Sequence, residues 1–224
     1  MTRLAIGTAA VLAVILAPAA VAFVEADLDT LHSTGSCDTR CDLSGVDLTG
    51  AAFPGGQLSN ANFSGATMVG IDLSNADMAV VNLRDADFTG ANVSNTYLRS
   101  ATMIGANLTD ADFSGSIFTT ANMTGAIAAG ASFAGAGFTN ATLADADFTG
   151  ADFSGANLDR TNFRGAILVG ATLAGADISG AVFTDADLTD ATLEGATVAR
   201  MGFTSALLCR TTMPDGSVAN DDCP

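Results

Sequence analysis

The chain has 224 residues, of which 24 are acidic and eight are basic, so its formal net charge is −16 at pH 7. This acidity argues against nucleic acid as a direct ligand, because phosphate groups would be repelled. The single histidine, His32, has no nucleophile–base constellation, zinc-ligand spacing or phosphate-binding loop to accompany it. We therefore expect a protein without catalytic residues, cofactor or bound metal ion.

The first 22 residues have the composition of a secretory signal peptide. Arg3 precedes an apolar run over residues 4–16, and Ala20-Val21-Ala22 forms an A-x-A cleavage site. We expect cleavage after Ala22 and a periplasmic or secreted mature protein with no further attachment to the membrane. The uncharged stretch 4–24 leaves an uncleaved membrane anchor as the alternative.

Residues 41–213 contain a repeat of five residues. Every fifth residue from Leu43 to Met213 is apolar, and a second set of residues, mostly alanine, lies two positions before each of them. A period of five fits neither an α-helix nor a β-strand. It is typical of repeat proteins in which each short unit gives one large and one small residue to a shared core. Ser-Gly, Thr-Gly and Thr-Asp pairs follow the large residue and provide turn chemistry.

The units ADFTG (146–150), ADFSG (151–155), ANLTD (106–110) and ADLTD (186–190) resemble the A-(D/N)-L-x-x consensus of the pentapeptide-repeat family. With the leader described above, the resemblance indicates an exported bacterial member. It implies an all-β fold, the right-handed quadrilateral β-helix, in which four pentapeptides form one square coil and the large and small residues point inward. About nine coils at a strand spacing of about 4.8 Å would make a rod roughly 40 Å long.

A solenoid has two open ends that would expose unpaired strands. We expect an N-terminal cap over residues 23–40, with Leu28 and Leu31 as apolar plugs, and a turn-rich C-terminal cap over residues 209–224 that overlaps the last repeat. All four cysteines lie in these ends, namely Cys37, Cys41, Cys209 and Cys223. One disulfide per cap is the simplest pairing, with a four-thiolate zinc site or free thiols as alternatives. Disulfides persist in oxidising compartments, which agrees with export.

Residues 20 apart would share one wall or corner of the coil, so the sequence also maps the charges. Aspartates fall mainly on two adjacent walls and their corners, whereas most arginines flank an asparagine-lined wall elsewhere. The acids that we take as a candidate interaction face, called here the acidic face, are Asp72, Asp85, Asp87, Asp112, Asp145, Asp147, Asp152, Asp185 and Asp187. Along the two walls, as at Asp72, Asn92 and Asp112, neutral residues alternate with acids and hold the like charges of one column about 10 Å apart, near the Debye length. A solvated surface that favours solubility is the other interpretation.

These features favour a non-enzymatic extracytoplasmic module with a structural or protein-binding role. Its protein partner is unknown, and a homodimer through an end of the rod is a further expectation. The alternative, implied by the family resemblance, is a DNA-mimicking inhibitor or protector of type II topoisomerase, which would require a cytoplasmic chain. The pairs Asp85/Asp87 and Asp145/Asp147 are also compatible with a glycosidase or calcium site. Their recurrence with the repeat favours a structural origin.

Overall fold

The computed structural model describes residues 25–37, 40–199, 202–220 and 223. The predicted signal peptide, residues 1–22 with its cleavage site, lies outside them. Three regular elements are present in this part of the chain: helix α1 (Glu25–Thr34) and strands β1 (Thr211–Thr212) and β2 (Val218–Ala219). Among the described residues, no helix has the length and apolar character needed to cross a bilayer.

The repeat forms a β-helix built from isolated parallel bridges. The bridges join residues 20 apart without interruption, from Asp42↔Asn62 to Thr192↔Thr212. A register of 20 places four pentapeptides in each coil, and each wall is too short for more than one bridge before the next corner. Residues 20 apart therefore stack in columns along the molecule.

The unit 61–65 shows how a pentapeptide satisfies its backbone. Its positions are numbered here from the small residue, so Ala61 is first and Gly65 is fifth. The Asn62 N–H donates to the Cys41 carbonyl of the preceding coil (2.8 Å), and the Phe63 N–H donates to the Asn82 carbonyl of the following coil (2.8 Å). The Gly65 N–H also donates to the following coil, and the next first-position N–H closes the corner onto the Phe63 carbonyl (3.0 Å). The fourth-position N–H takes no part in this scheme and needs another acceptor.

Each corner places the fifth residue at positive φ. Glycine occupies many of these positions because it has no Cβ to clash there, and Asn and Asp tolerate the conformation better than other residues. Gly65 has φ 66°, Asn75 has φ 61° and Asp85 has φ 56°. Val80 and Thr120 adopt the same conformation, with φ 59° and 58°, although β-branched side chains are strained in it.

The core runs through the middle of the coils and contains the first-position alanines and the third-position Leu, Phe, Met, Val and Ile side chains. Phenylalanines stack along columns, with ring centroids 5.5 Å apart for Phe113–Phe133, 5.0 Å for Phe133–Phe153 and 4.5 Å for Phe118–Phe138. Burial of each large side chain contributes on the order of 1.5–3 kcal/mol before the entropy of the chain is subtracted.

A few first-position residues are polar and still fully buried. The Ser116 hydroxyl donates to the Val93 carbonyl (2.7 Å) and accepts the Thr96 N–H (2.8 Å). The Thr96 and Thr161 hydroxyls likewise donate to backbone carbonyls. No buried side-chain polar atom in the described ranges lacks a partner, so these hydroxyls avoid the cost of an unpaired polar group.

The large residues of the repeat are not all covered at its C-terminal end. Val198 occupies a third position, yet 39% of its surface is exposed. Phe203, Leu208 and Met213 are half-buried. The residue 20 positions beyond Val198 is Val218, which belongs to β2 and is itself exposed. Within the part of the chain that the structure describes, no further coil is therefore stacked over Val198.

Helix α1 lies against the first coil. Leu28 and Leu31 are buried in the core, and the Asp27 Oδ2 accepts the Asp42 N–H (2.8 Å). Cys37 and Cys41 form a disulfide with a Cα–Cα distance of 5.6 Å. Helix α1 and this disulfide together connect the N-terminal segment, residues 25–37, to the start of the repeat.

The opposite end carries a short antiparallel hairpin formed by β1 and β2. Thr211 pairs with Ala219 and Thr212 with Val218. A disulfide joins Cys209 to Cys223 with a Cα–Cα distance of 4.7 Å. The segment that follows the repeat is therefore held to the last coil by both backbone and covalent bonds.

Candidate interaction surface

The second position of the pentapeptide supplies the acceptor that the fourth-position N–H needs. Asp147 is typical, because its Oδ1 accepts the Thr149 N–H (2.9 Å) and the Thr149 hydroxyl (2.6 Å). Every Asn and Asp at a second position of the described repeat accepts the N–H two residues later in this way. Such turns are a common use of these side chains.

Six members of the acidic face are second-position residues of this kind: Asp72, Asp87, Asp112, Asp147, Asp152 and Asp187. One carboxylate oxygen of each is committed to the local turn, and the other remains available at the surface. Their role in the fold was not predicted from the sequence, where these acids were read only as charges. The interchange of Asp with Asn at this position was the available signal, because the two side chains share the acceptor oxygen and differ in charge.

Neutral residues of neighbouring coils also bind these acids directly. The Asn92 amide donates to the Asp72 Oδ1 (3.1 Å), and the Asn107 amide donates to the Asp87 Oδ1 (3.1 Å). The Asn62 amide contacts Asp42 in the same manner (2.9 Å). At Asp72 and Asp87, the neighbouring asparagine therefore separates like charges and also donates a hydrogen bond to the carboxylate.

The remaining three members, Asp85, Asp145 and Asp185, lie in one corner column at fifth positions, with φ of 56°, 57° and 59°. All three are exposed. Gly105 follows Asp85 in this column, one coil further on. A Cβ added to Gly105 would lie 2.6 Å from the Asp85 Oδ1. Gly165 stands in the same relation to Asp145. The aspartate side chain thus rests over the glycine of the following coil.

The structure brings the three corner acids and the second-position acids of the adjoining wall to one side of the molecule. Asp185 is 3.8 Å from the Arg164 Nη2, an exposed ion pair. Such pairs are worth little in water, so the side remains strongly negative. No group of three or more His, Cys, Asp or Glu side chains in the described ranges is arranged to hold a metal ion. This surface is chemically suited to electrostatic binding of cationic groups.

Two other carboxyls illustrate how the local contacts act on ionisation. Hydrogen bonds from the Thr49 hydroxyl and N–H lower the pKa of Asp47 below its ordinary value. At the C-terminal end, the Arg210 guanidinium lowers the pKa of Asp190, with Nε–Oδ1 and Nη2–Oδ2 distances of 2.5 Å. Arg210 lies in the same corner column as Asp190, one coil further on, and fixes the last coil to the one before it.

The chain belongs to the pentapeptide repeat family. The family profile, described as "Pentapeptide repeats", matches eight copies over residues 41–78, 82–119, 116–155 and 156–195. This match confirms the family predicted from the A-(D/N)-L-x-x units and supports the β-helix. No curated protein is detectably similar to the chain in sequence.

Three solved structures illustrate the similarity. HetL, a pentapeptide repeat protein involved in heterocyst differentiation regulation from the cyanobacterium Nostoc, is 25% identical, with 87% of this chain and 98% of HetL covered and a TM-score of 0.29. QnrB1, a plasmid-mediated fluoroquinolone resistance protein, is 25% identical in one structure, with 68% and 89% covered and a TM-score of 0.35. A pentapeptide repeat protein of the Arabidopsis thaliana thylakoid lumen is 28% identical, with 50% and 68% covered and a TM-score of 0.31.

Proposed function

We propose that this chain is a non-enzymatic, extracytoplasmic protein-interaction module whose acidic face binds a cationic surface of a protein partner. The observation that carries the proposal is the corner column of Asp85, Asp145 and Asp185. Five other members of that column, such as Gly65 and Gly105, are glycines, which suit positive φ better than aspartate does. The fold does not need these carboxylates, so their presence supports a role at the surface.

The charge of the whole chain supports the same proposal. A net charge of −16 creates a field that draws cationic partners and speeds their encounter, most strongly at low ionic strength. Second-position acids such as Asp87 and Asp147 add their free carboxylate oxygens to the corner acids beside them. Binding through this side would therefore weaken steeply as salt is added.

A triple substitution tests the role of the corner. Replacing Asp85, Asp145 and Asp185 by glycine should leave folding intact, because glycine is the most frequent residue of the column. Quantitative capture of envelope proteins by the wild type and the variant would then compare the two surfaces. The matched control removes the same charge from other columns by replacing Asp159 and Asp177 with asparagine and the exposed Glu194 with glutamine. Equal losses of captured protein in the two variants would show a general effect of charge and contradict a role for the acidic face.

We also propose that the chain is exported, with cleavage after Ala22, and that residues 23–40 and 209–224 cap a right-handed rod of about nine coils. The two disulfides support export, because such bonds persist in oxidising compartments. Intact mass and N-terminal sequencing of the protein from fractionated cells would test this. A periplasmic or secreted chain that starts at Phe23 is expected.

The second candidate function is a DNA-mimicking inhibitor or protector of type II topoisomerase. The acidity of the chain and its elongated repeat favour it. It depends on a cytoplasmic location. Recovery of a full-length, reduced chain from the cytoplasm would replace the first proposal by this one.

A further inference from the structure

One corner of the β-helix lacks the glycines that the other corners have. The column Asn60, Val80, Ser100, Thr120, Asn140 and Arg160 is at positive φ throughout, and its first glycine is Gly180. Each of the other three corner columns holds five or six glycines. Non-glycine residues in this conformation cost free energy, and the cost is greatest for a β-branched side chain.

Some of these side chains have a use within the fold. The Ser100 and Thr120 hydroxyls form a hydrogen bond with each other (2.8 Å), and Arg160 pairs with Asp159 (2.8 Å). Val80 differs from them, because it is apolar, its surface is 58% exposed and its φ is 59°. Val80 therefore combines a strained backbone conformation with an apolar side chain that is exposed to solvent.

The neighbours of Val80 show a second local cost. Tyr97, the sole tyrosine of the chain, occupies a second position and is 49% exposed. An Asn or Asp at that position would accept the Arg99 N–H, as Asp77 accepts the Ala79 N–H one coil earlier (3.1 Å). With tyrosine at position 97, the Arg99 N–H does not have this hydrogen bond. The Val80 N–H donates to the Arg99 carbonyl (2.8 Å), so the strained valine and the uncapped turn are adjacent.

We propose that Asp77, Val80, Tyr97 and Arg99, called here the Tyr97 patch, form the surface on which a second copy of this chain docks side by side in an antiparallel, two-fold arrangement. The patch lies half a coil away from the wall of Asp87 and Asp147, so this pairing turns those two walls away from each other, whereas the wall of Asp72, Asp112 and Asp152 adjoins the patch. Pairing on this side keeps the wall of Asp87 and Asp147 in one copy far from the same wall in the other, which limits the repulsion between two acidic chains.

The patch is also self-complementary, as a two-fold interface requires. Arg99 has no ion pair among the described residues, whereas the Asp77 Oδ1 accepts the Ala79 N–H and the Ser59 hydroxyl (2.7 Å) and leaves Oδ2 toward solvent. Arg99 of each copy pairs with Asp77 of the other, and the Tyr97 rings and Val80 side chains fill the centre. Tyrosine and arginine are typical of interface centres. The contact covers few coils, so the dimer is weak.

Sedimentation equilibrium of the mature chain over a wide concentration range tests the proposal. The wild type should show a reversible monomer–dimer equilibrium. Val80→Gly should weaken it by about tenfold or more without lowering the melting temperature, because glycine removes the strain. A purely structural valine would instead lower the melting temperature. Asn140→Gly, in the same column but outside the patch, is the matched control and should dimerise as the wild type does.

Charge variants test the orientation of the two copies. Arg99→Glu should abolish the dimer by placing carboxylates opposite each other, and addition of Asp77→Asn should restore part of it. Asparagine keeps the turn acceptor at position 77, as Asn62 does for Ser64. A wild type that stays monomeric at every concentration overturns the proposal. So does a dimer that is lost with Val198→Glu at the C-terminal end and kept with Val80→Gly.

Discussion

At the second position of the pentapeptide, aspartate and asparagine accept the same backbone hydrogen bond. Asn122 accepts the Thr124 N–H (3.0 Å) and hydroxyl (2.6 Å), and Asp147 makes the same two bonds to Thr149. The fold therefore selects an acceptor oxygen at this position, and the charge can vary independently. A residue without that oxygen leaves the fourth-position N–H to water.

This distinction predicts different results for two substitutions of Asp147. Asp147→Asn should change the free energy of unfolding little, because the turn acceptor is kept. Asp147→Lys should destabilise the fold by about 1 kcal/mol through loss of the turn hydrogen bonds. Chemical denaturation of both variants measures the difference. Equal stability of the lysine variant and the wild type would contradict the structural role of the carboxylate.

The core allows a sharper test at Phe153, which is fully buried and stacks on Phe133. Phe153→Asp should abolish folding, because a carboxylate would be buried among phenylalanine rings with no partner. Phe153→Leu should fold, because leucine fills the same position in other coils. Circular dichroism and thermal melting distinguish these outcomes. A soluble, cooperative Phe153→Asp protein would refute the inward placement of this side chain.

At the scale of the element, the last coil depends on a small number of contacts beyond the repeat. Arg210 bonds both carboxylate oxygens of Asp190 one coil earlier, the β1–β2 hairpin follows at once, and a disulfide returns the chain to Cys209. Since Val198 is uncovered here, this end has less apolar burial than the middle of the repeat. Electrostatic contacts should matter more to its stability.

Acidification should therefore weaken this end selectively. Arg210 lowers the pKa of Asp190 in the folded chain, so the pair stabilises the fold above the ordinary carboxyl pKa. That contribution is lost as the pH falls through the lowered pKa, below about pH 4. We expect Asp190→Asn to melt below the wild type at neutral pH and the gap to close in acid. Melting curves from neutral pH to pH 3 would measure this, and a constant gap would contradict it.

At the scale of the whole molecule, the negative charge opposes the fold through self-repulsion. Asparagines and glycines between stacked acids reduce the repulsion locally, as at Asn107 beside Asp87. They do not remove the long-range repulsion among the 24 acids, which eight arginines neutralise only in part. Stability should therefore respond to ionic strength more than that of a neutral β-helix.

Added sodium chloride should raise the melting temperature by screening this repulsion. The variant with glycine at positions 85, 145 and 185 should show a smaller rise, because three charges have been removed. Scanning calorimetry across a salt series measures both slopes. A wild type whose melting temperature does not change with salt would show that the acids are already too far apart to interact.

The fold was predictable because its signal is spread over the whole repeat. The apolar residue at every fifth position and the Asp/Asn consensus identified the family, and arithmetic in steps of 20 placed Asp85 and Asp145 in one column. The exposure of Val198 was not predicted and has a local cause, because the period of five continues in sequence where coverage by a following coil ends. The strain at Val80 was also missed, since a corner that lacks glycine becomes visible only when the four columns are compared.

The five-residue repeat and the 20-residue coil have different consequences for insertions and deletions. Loss of five residues would leave the core in phase but turn every later column by a quarter of the coil, so Asp145 and Asp185 would leave the side that Asp85 occupies. Loss or gain of 20 residues, as between the bridged Asp87 and Asn107, would shorten or lengthen the chain and keep each surface aligned. Relatives that share a binding face should therefore differ in length by whole coils.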